Sequence, residues 1–290
     1  MAVHPSTGSG RTGVVAAAGQ ITLGDLIVNR LGFGAMRVCG PQIWGGPKDR
    51  NAALKLLRRA YELGHTFFDT ADSYGPHVSE SMIAEALHPY PRDLVIGTKG
   101  GLLRPKASRW DPCGTPEHLR RALEGSLERL RLERIDLYQF HAPDPEVPFA
   151  KSMDTLAALQ REGKIRHIGV SNVTVRQLEE ARRIAPIVSV QNEYNTGNRS
   201  DEDVLLACEH AGIAFIPWFP LGAGAALKSS KVKRVAARLR VTPSQVSLAW
   251  LLAHSPVMLP IPGTSSIEHL EENATAAEVR LLESDLAELD

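Results

Sequence analysis

Short apolar runs and stretches of helical periodicity take turns along this chain from Leu31 to its end. In "DRNAALKLLRRAYELG" the apolar positions recur every three or four residues, which puts them on one face of an amphipathic helix. The next residues, "HTFFDT", are too few and too aromatic to continue that helix and read as a buried strand. The exchange then repeats with helix "SESMIAEALH" and strand "DLVIGTK". Thr115 and Pro116 open the helix "EHLRRALEGSLERLR", the threonine as cap and the proline at the first helical position, where a missing N–H is tolerated. Strand "IDLYQFH", helix "MDTLAALQREG", strand "IRHIGVS", helix "TVRQLEEARRIA" and strand "IVSVQNEYN" follow. The pattern ends with helix "DEDVLLACEHAG", strand "IAFIPW", a "PLGAGAALKSS" loop, helical "KVKRVAARLR" and "SQVSLAWLLAH", and a last strand near "MLPIP".

Counted from the run Leu31 to Gly34, eight strand-like segments alternate with helices. Strict alternation implies parallel strands, because each right-handed crossover lays a helix on the outside of the sheet. Eight units with no linker between them predict an α/β fold of the TIM type, a closed (β/α)8 barrel spanning residues 21–290; an open doubly wound sheet is built from the same units and is the other arrangement. Ahead of the first strand, "ITLGDLIVN" reads as a short β-hairpin turning at Gly24-Asp25 and closing the bottom of the barrel.

Residues 1–20 lack this patterning and are expected to form a flexible extension. Within them "GSGRTG", Gly8 to Gly13, matches the spacing of a dinucleotide fingerprint, but no strand precedes it and no amphipathic helix follows, so the turn that presents amides to a pyrophosphate is missing. The apolar patch Val14 to Ala18 is too short for a secretory signal. No run approaches the roughly 18 apolar residues of a membrane span.

Composition narrows the classes further. Of 290 residues 43% are hydrophobic, enough for a large core, and Lys+Arg equals Asp+Glu at 33 each, which leaves no summed field for a nucleic acid or an anionic membrane. Cys39, Cys113 and Cys208 are odd in number and far apart, which fits reduced cytoplasmic thiols rather than disulfides or a zinc site. No carboxylate or His-x-His set has metal-ligand spacing at the strand ends.

A barrel of this type carries its chemistry where strands end at their C-termini. The second run ends at Asp69, with Tyr74 just beyond it; the third ends at Lys99, the fourth at His141, the fifth at Ser171 and Asn172, the sixth at Gln191. Each has an ordinary explanation alone, but together they would be costly to bury without a role. A phenol has an ordinary pKa near about 10 and donates a proton poorly at neutral pH unless its anion is favoured. A neighbouring lysine favours that anion, a carboxylate keeps the lysine charged and oriented, and a histidine holds the substrate oxygen. This set can protonate a carbonyl oxygen while hydride reaches its carbon.

In these residues the chain resembles the aldo-keto reductases. The likeness runs from about Ile21 onward through "RLGFGAM", "FFDTADSYG", "GTKGG", "LYQFHAPD", "GVSN", "VQNEYN", "PLGAG" and "IPGTSSIEHLEEN", and it looks nearest to the bacterial branch that includes pyridoxal reductases. The resemblance implies reduction of an aldehyde or ketone by NADPH, or by NADH, with the tetrad Asp69, Tyr74, Lys99 and His141: Tyr74 as general acid, Lys99 and Asp69 lowering its pKa, and His141 orienting the carbonyl. It also implies cofactor contacts at Gly34 and Met36, a carboxamide site at Ser171, Asn172 and Gln191, and Trp218 stacked on the nicotinamide. Leu221, Gly222 and Gly224 would lie near the pyrophosphate, and Thr264, Ser265, His269 and Asn273 along the adenosine half. Relatives often carry lysine and arginine where this chain has Gly263 and His269, so the 2′-phosphate would meet hydroxyls, helix amides and a protonatable His269. Trp44 and Trp110 are candidate walls of the substrate pocket. A small carbonyl compound is the expected partner, and a monomer or weak homo-oligomer the expected assembly. The other reading is a nucleotide-binding regulatory subunit with little turnover.

Overall fold

The computed structural model describes residues 13–290. The fingerprint-like stretch at Gly8 therefore lies outside the described residues except for its last glycine. Residues 13–20, expected to belong to a flexible extension, are ordered instead. Val14–Ala18 form a 3-10 turn, Val15 is fully buried, and its N–H donates to Leu63 O at 3.2 Å. Gly13 lies so close to this backbone that a Cβ would stand 2.2 Å from Leu63 O.

The antiparallel pair β1 (Gln20–Leu23) and β2 (Leu26–Asn29) is the expected hairpin, with Gly24 at φ +66° in its turn. Then come β3 (Phe33–Gly34), α1 (Arg50–Glu62), β4 (Phe67–Asp69), α2 (Val78–Leu87) and β5 (Val95–Gly100). A second hairpin, β6 (Leu102–Lys106) with β7 (Arg109–Pro112), follows where the sequence pattern marked no strand. The alternation resumes with α3 (Pro116–Leu130), β8 (Ile135–Phe140), α4 (Phe149–Arg161), β9 (Ile165–Ser171), α5 (Val175–Ile184), β10 (Ile187–Gln191), α6 (Glu202–Ala211) and β11 (Ala214–Phe215). Helices α7 (Ser230–Leu239), α8 (Pro243–His254), α9 (Ile267–Ala274) and α10 (Glu283–Leu289) complete it. Among these helices none is long and apolar enough to cross a membrane.

Seven strands form one parallel sheet in the order β3, β4, β5, β8, β9, β10, β11. The eighth expected strand is an irregular segment, and its prolines explain why. Pro260 and Pro262 have no N–H, so on one side only their carbonyls pair, with Gly32 N at 2.9 Å and Gly34 N at 3.2 Å. On the other side Leu259 N donates to Phe215 O and Phe215 N to Val257 O, both at 2.8 Å. The ring closes, and the fold is a (β/α)8 barrel.

Strand parity sorts the core. Phe67, Val95, Leu137, Ala214, Ile216, Leu259 and Ile261 fill the interior, and Leu23 and Val28 of the hairpin plug it from below. The alternate residues, Phe68, Ile96, Tyr138, Val170 and Val190, belong to the larger core that the helices cover. Continued two residues at a time toward the C-terminal ends, the inward positions become Asp69, Lys99, Gln139, His141, Ser171 and Gln191. The periodicity itself aims this polar set at the barrel's upper mouth.

His65, before β4, is fully buried, with Nδ1 2.9 Å from Leu31 O and, among the described residues, no partner for Nε2. Burial pushes its pKa down to about 4. The unfolded chain therefore binds a proton below about pH 6.5 that the folded chain refuses, so stability falls as pH drops from there toward about 4. Urea midpoints measured at about pH 7 and about pH 5 are expected to differ more in the wild type than in His65→Asn; equal differences would assign the acid sensitivity elsewhere.

Candidate active site

Lys99 is the centre of the polar set. Its side chain is fully buried, and Nζ donates to Asp69 Oδ1 at 2.8 Å, Asp69 Oδ2 at 2.7 Å and Thr70 O at 2.8 Å, which uses all three ammonium protons. Burial pulls the ammonium below its usual range and the Asp69 carboxylate opposes this. Asp69 Oδ1 also accepts from Gln191 Nε2 at 2.8 Å and Gln139 Nε2 at 3.3 Å, and Gln139 Oε1 accepts from Ser189 Oγ at 3.3 Å. Gln139 and Ser189 went unnoticed in the sequence because a polar residue inside a strand run looks incidental. Their shared inward parity with Asp69 was the signal.

Tyr74 is buried beside this pair, with Lys99 Nζ 5.3 Å from its ring centroid. The His141 and Trp110 rings approach it edge-on, at 5.9 and 6.3 Å between centroids. Among the described residues, no partner occupies its hydroxyl. The resemblance implies a phenol acidified by Lys99 and Asp69, but the structure shows the opposite sense: burial first and the Asp69 charge second push Tyr74 well above its ordinary value. Every Lys99 proton already points at an oxygen, so none is left to hydrogen-bond the phenolate. His141 is held well below its ordinary value, by burial and then by the Lys99 charge, and so is a neutral imidazole with Nδ1 3.4 Å from Ser73 Oγ.

These groups open onto one cleft of about 380 Å³ at the C-terminal mouth, lined by Asp69, Tyr74 and His141 but not by Lys99, which stands behind Asp69. Of the residues expected to contact a nicotinamide nucleotide, Gly34, Met36, Ser171, Asn172, Gln191, Trp218 and Leu221 line the same cleft. Asn172 is in the left-handed region at φ +57°; its Nδ2 donates to His141 O at 2.9 Å and its Oδ1 accepts from Trp218 Nε1 at 3.0 Å, tying the indole to the histidine strand. Gly222 and Gly224 do not line the cleft but flank Ala223, which does, and both have positive φ.

The adenosine-side candidates lie apart. Ser265 lines a neighbouring cleft with Met36, Arg37 and Lys48. Thr264 and Asn273 are buried, and His269 is exposed on the first turn of α9, where Ser266 Oγ caps the helix by accepting from His269 N at 3.3 Å. Of the two proposed walls, Trp110 lines the catalytic cleft and Trp44 does not. Trp44 instead bridges to Gly75 in the loop after β4.

A tyrosine, a neutral histidine and a lysine–aspartate pair at the mouth of a parallel barrel agree with a wider comparison. Residues 30–290 match the model of the aldo/keto reductase family. The chain belongs to that family. It is 50% identical over 274 residues to an uncharacterized oxidoreductase of Schizosaccharomyces pombe, covering 94% of this chain and 89% of that one. To the pyridoxine 4-dehydrogenase of Escherichia coli it is 46% identical over 281 residues, covering 94% and 98%. An aldo/keto reductase from Klebsiella pneumoniae, solved in complex with NADP and acetate, superposes with a TM-score of 0.76 at 27% identity over 91% of each chain. This aldo-keto reductase is thus an oxidoreductase of the branch that includes pyridoxine 4-dehydrogenase.

Proposed function

We propose that the protein reduces an aldehyde, pyridoxal or a related aromatic aldehyde foremost, to the alcohol with NADPH. The convergence of Tyr74, His141, Asp69 and Trp218 on one cleft carries this reading. The Klebsiella complex supports the cofactor, and the name of the Escherichia coli relative supports a pyridine substrate.

The residues present fit a nicotinamide nucleotide. Gln191 has its Nε2 fixed on Asp69, which leaves Oε1 as the acceptor for a carboxamide N–H. The Trp218 indole, held by Asn172, offers an aromatic face beside it. When bound, the nucleotide supplies hydride to the carbonyl carbon.

The protein's own part is proton transfer and orientation. A neutral His141, with Nδ1 turned to Ser73, donates from Nε2 to the carbonyl oxygen and fixes it near Tyr74. The Tyr74 O–H then breaks as the alcohol O–H forms. Trp110 walls the substrate side.

Oxidation of NADPH and of NADH, followed at the nicotinamide absorbance with pyridoxal and a panel of aliphatic and aromatic aldehydes, tests this. Turnover with any of them supports the reductase, whereas tight cofactor binding without turnover favours a regulatory nucleotide-binding role. His269→Arg, at an exposed position on the first turn of α9, is expected to raise preference for NADPH over NADH by about tenfold, because a guanidinium pairs with a phosphate bidentately. An unchanged ratio would place the 2′-phosphate elsewhere.

A further inference from the structure

Arg104 is a charged residue buried to 8% exposure, and among the described residues no carboxylate pairs with it. Its donors go to backbone carbonyls: Nη1 to Ser73 O at 3.3 Å, and Nη2 to Gln42 O at 3.3 Å and Ala107 O at 2.8 Å. Nε is buried and, among the described residues, has no partner. The guanidinium carbon lies 3.5 Å from the Trp110 ring centroid and 5.5 Å from that of Trp44. One side chain of the β6–β7 hairpin thus ties together the loops after β3 and β4, and it bonds the carbonyl of the residue before Tyr74.

A buried, unpaired cation is costly, and its position suggests what it does. Tyr74 is faced by Asp69, Asp72, Cys39, Lys99, His141 and Arg104. Lys99 and Asp69 neutralise each other at 2.7 Å. His141 is neutral, and burial pushes the Cys39 thiol up to about 12 and the Asp72 carboxyl well above its usual range. With these groups paired off or neutral, Arg104, bonded to Ser73 O next to Tyr74 and stacked on the Trp110 ring that meets Tyr74 edge-on, is the positive charge placed to favour the Tyr74 anion.

We propose that Arg104 is a positioning residue of the reductase: its unpaired guanidinium stabilises the Tyr74 phenolate, while its stack on Trp110 holds the substrate wall. The proposal rests on the reductase reading above. In that reaction the carbonyl is reduced and the nicotinamide nucleotide oxidised, Tyr74 Oη gives its proton to the new alkoxide, and the phenolate left behind is reprotonated from solvent. Arg104 itself exchanges no proton in this step.

The test is the pH profile of kcat/KM in both directions for the wild type, Arg104→Met, Arg104→Gln and Arg104→Lys. Removing the cation is expected to move the Tyr74 limb to higher pH by about one unit, and to lower alcohol oxidation at neutral pH, which needs the phenolate, by about tenfold. Arg104→Lys is expected to restore the limb but to raise KM, since an ammonium lacks the flat face that stacks on Trp110. An unmoved limb in the Met or Gln variant overturns the proposal. If neither folds while Arg104→Lys does not restore the limb, Arg104 is a structural tie only and the proposal also falls. A wild type that oxidises no nicotinamide nucleotide with any aldehyde removes the reductase reading instead.

Discussion

Tyr74→Phe is expected to lower turnover of aldehydes by a hundredfold to about ten-thousandfold, the range of a lost general acid, and to leave cofactor affinity and stability nearly unchanged. The structure makes this a clean test. Among the described residues, no protein group bonds the Tyr74 hydroxyl, so deleting it strands no partner, and the ring keeps its edge contacts with His141 and Trp110. Cofactor binding followed by fluorescence, beside single-turnover reduction, separates the two effects. A variant that still reduces pyridoxal at the wild-type rate would show that water or another group supplies the proton.

Lys99→Met is expected to damage both activity and fold. The substitution keeps the volume of the chain but removes the cation from a carboxylate whose side chain is 3% exposed, leaving Asp69 only the amides of Gln191 and Gln139. Breaking one partner out of a buried ion pair costs about 3–5 kcal/mol, since the remaining charge has neither water nor counter-ion. Asp69 in the variant relieves this by taking up a proton. The deficit is therefore expected to shrink as pH falls from about 8 to about 5, the reverse of what loss of an ordinary packing contact would give. Urea unfolding across that range decides it, and a deficit independent of pH would mean that Asp69 is not left charged and buried.

Much of this was legible in the chain because barrel strands announce themselves twice, once as apolar runs and once by ending in polar residues. Asp69, Lys99, His141 and Gln191 were visible as the polar ends of runs, and the comparison with the family agrees with the barrel. Three things were not. The β6–β7 hairpin carries Pro105 and a row of charged residues, which hide strand alternation, so nothing in the pattern singled out Arg104. Val14–Ala18 fell within what read as a flexible extension, yet Val15 is buried and its N–H bonds Leu63 O at the end of α1. The direction of Tyr74's shift depends on where three lysine protons point, which no residue spacing encodes. Trp44 shows the converse, a conspicuous aromatic whose place in a loop is taken up by backbone bridging and by Arg104 rather than by the cleft.

The proline-interrupted seam has a consequence for how the molecule is made. Arg30 bonds to Met258 across 228 positions of sequence, and Gly32 and Gly34 wait for the carbonyls of Pro260 and Pro262. During synthesis on the ribosome, β3 therefore stands as an unpaired edge until nearly the whole chain has emerged, with the apolar lining of the interior open on that side. Closure is a late, long-range event, and the nascent protein must survive as an incomplete sheet before it becomes a barrel.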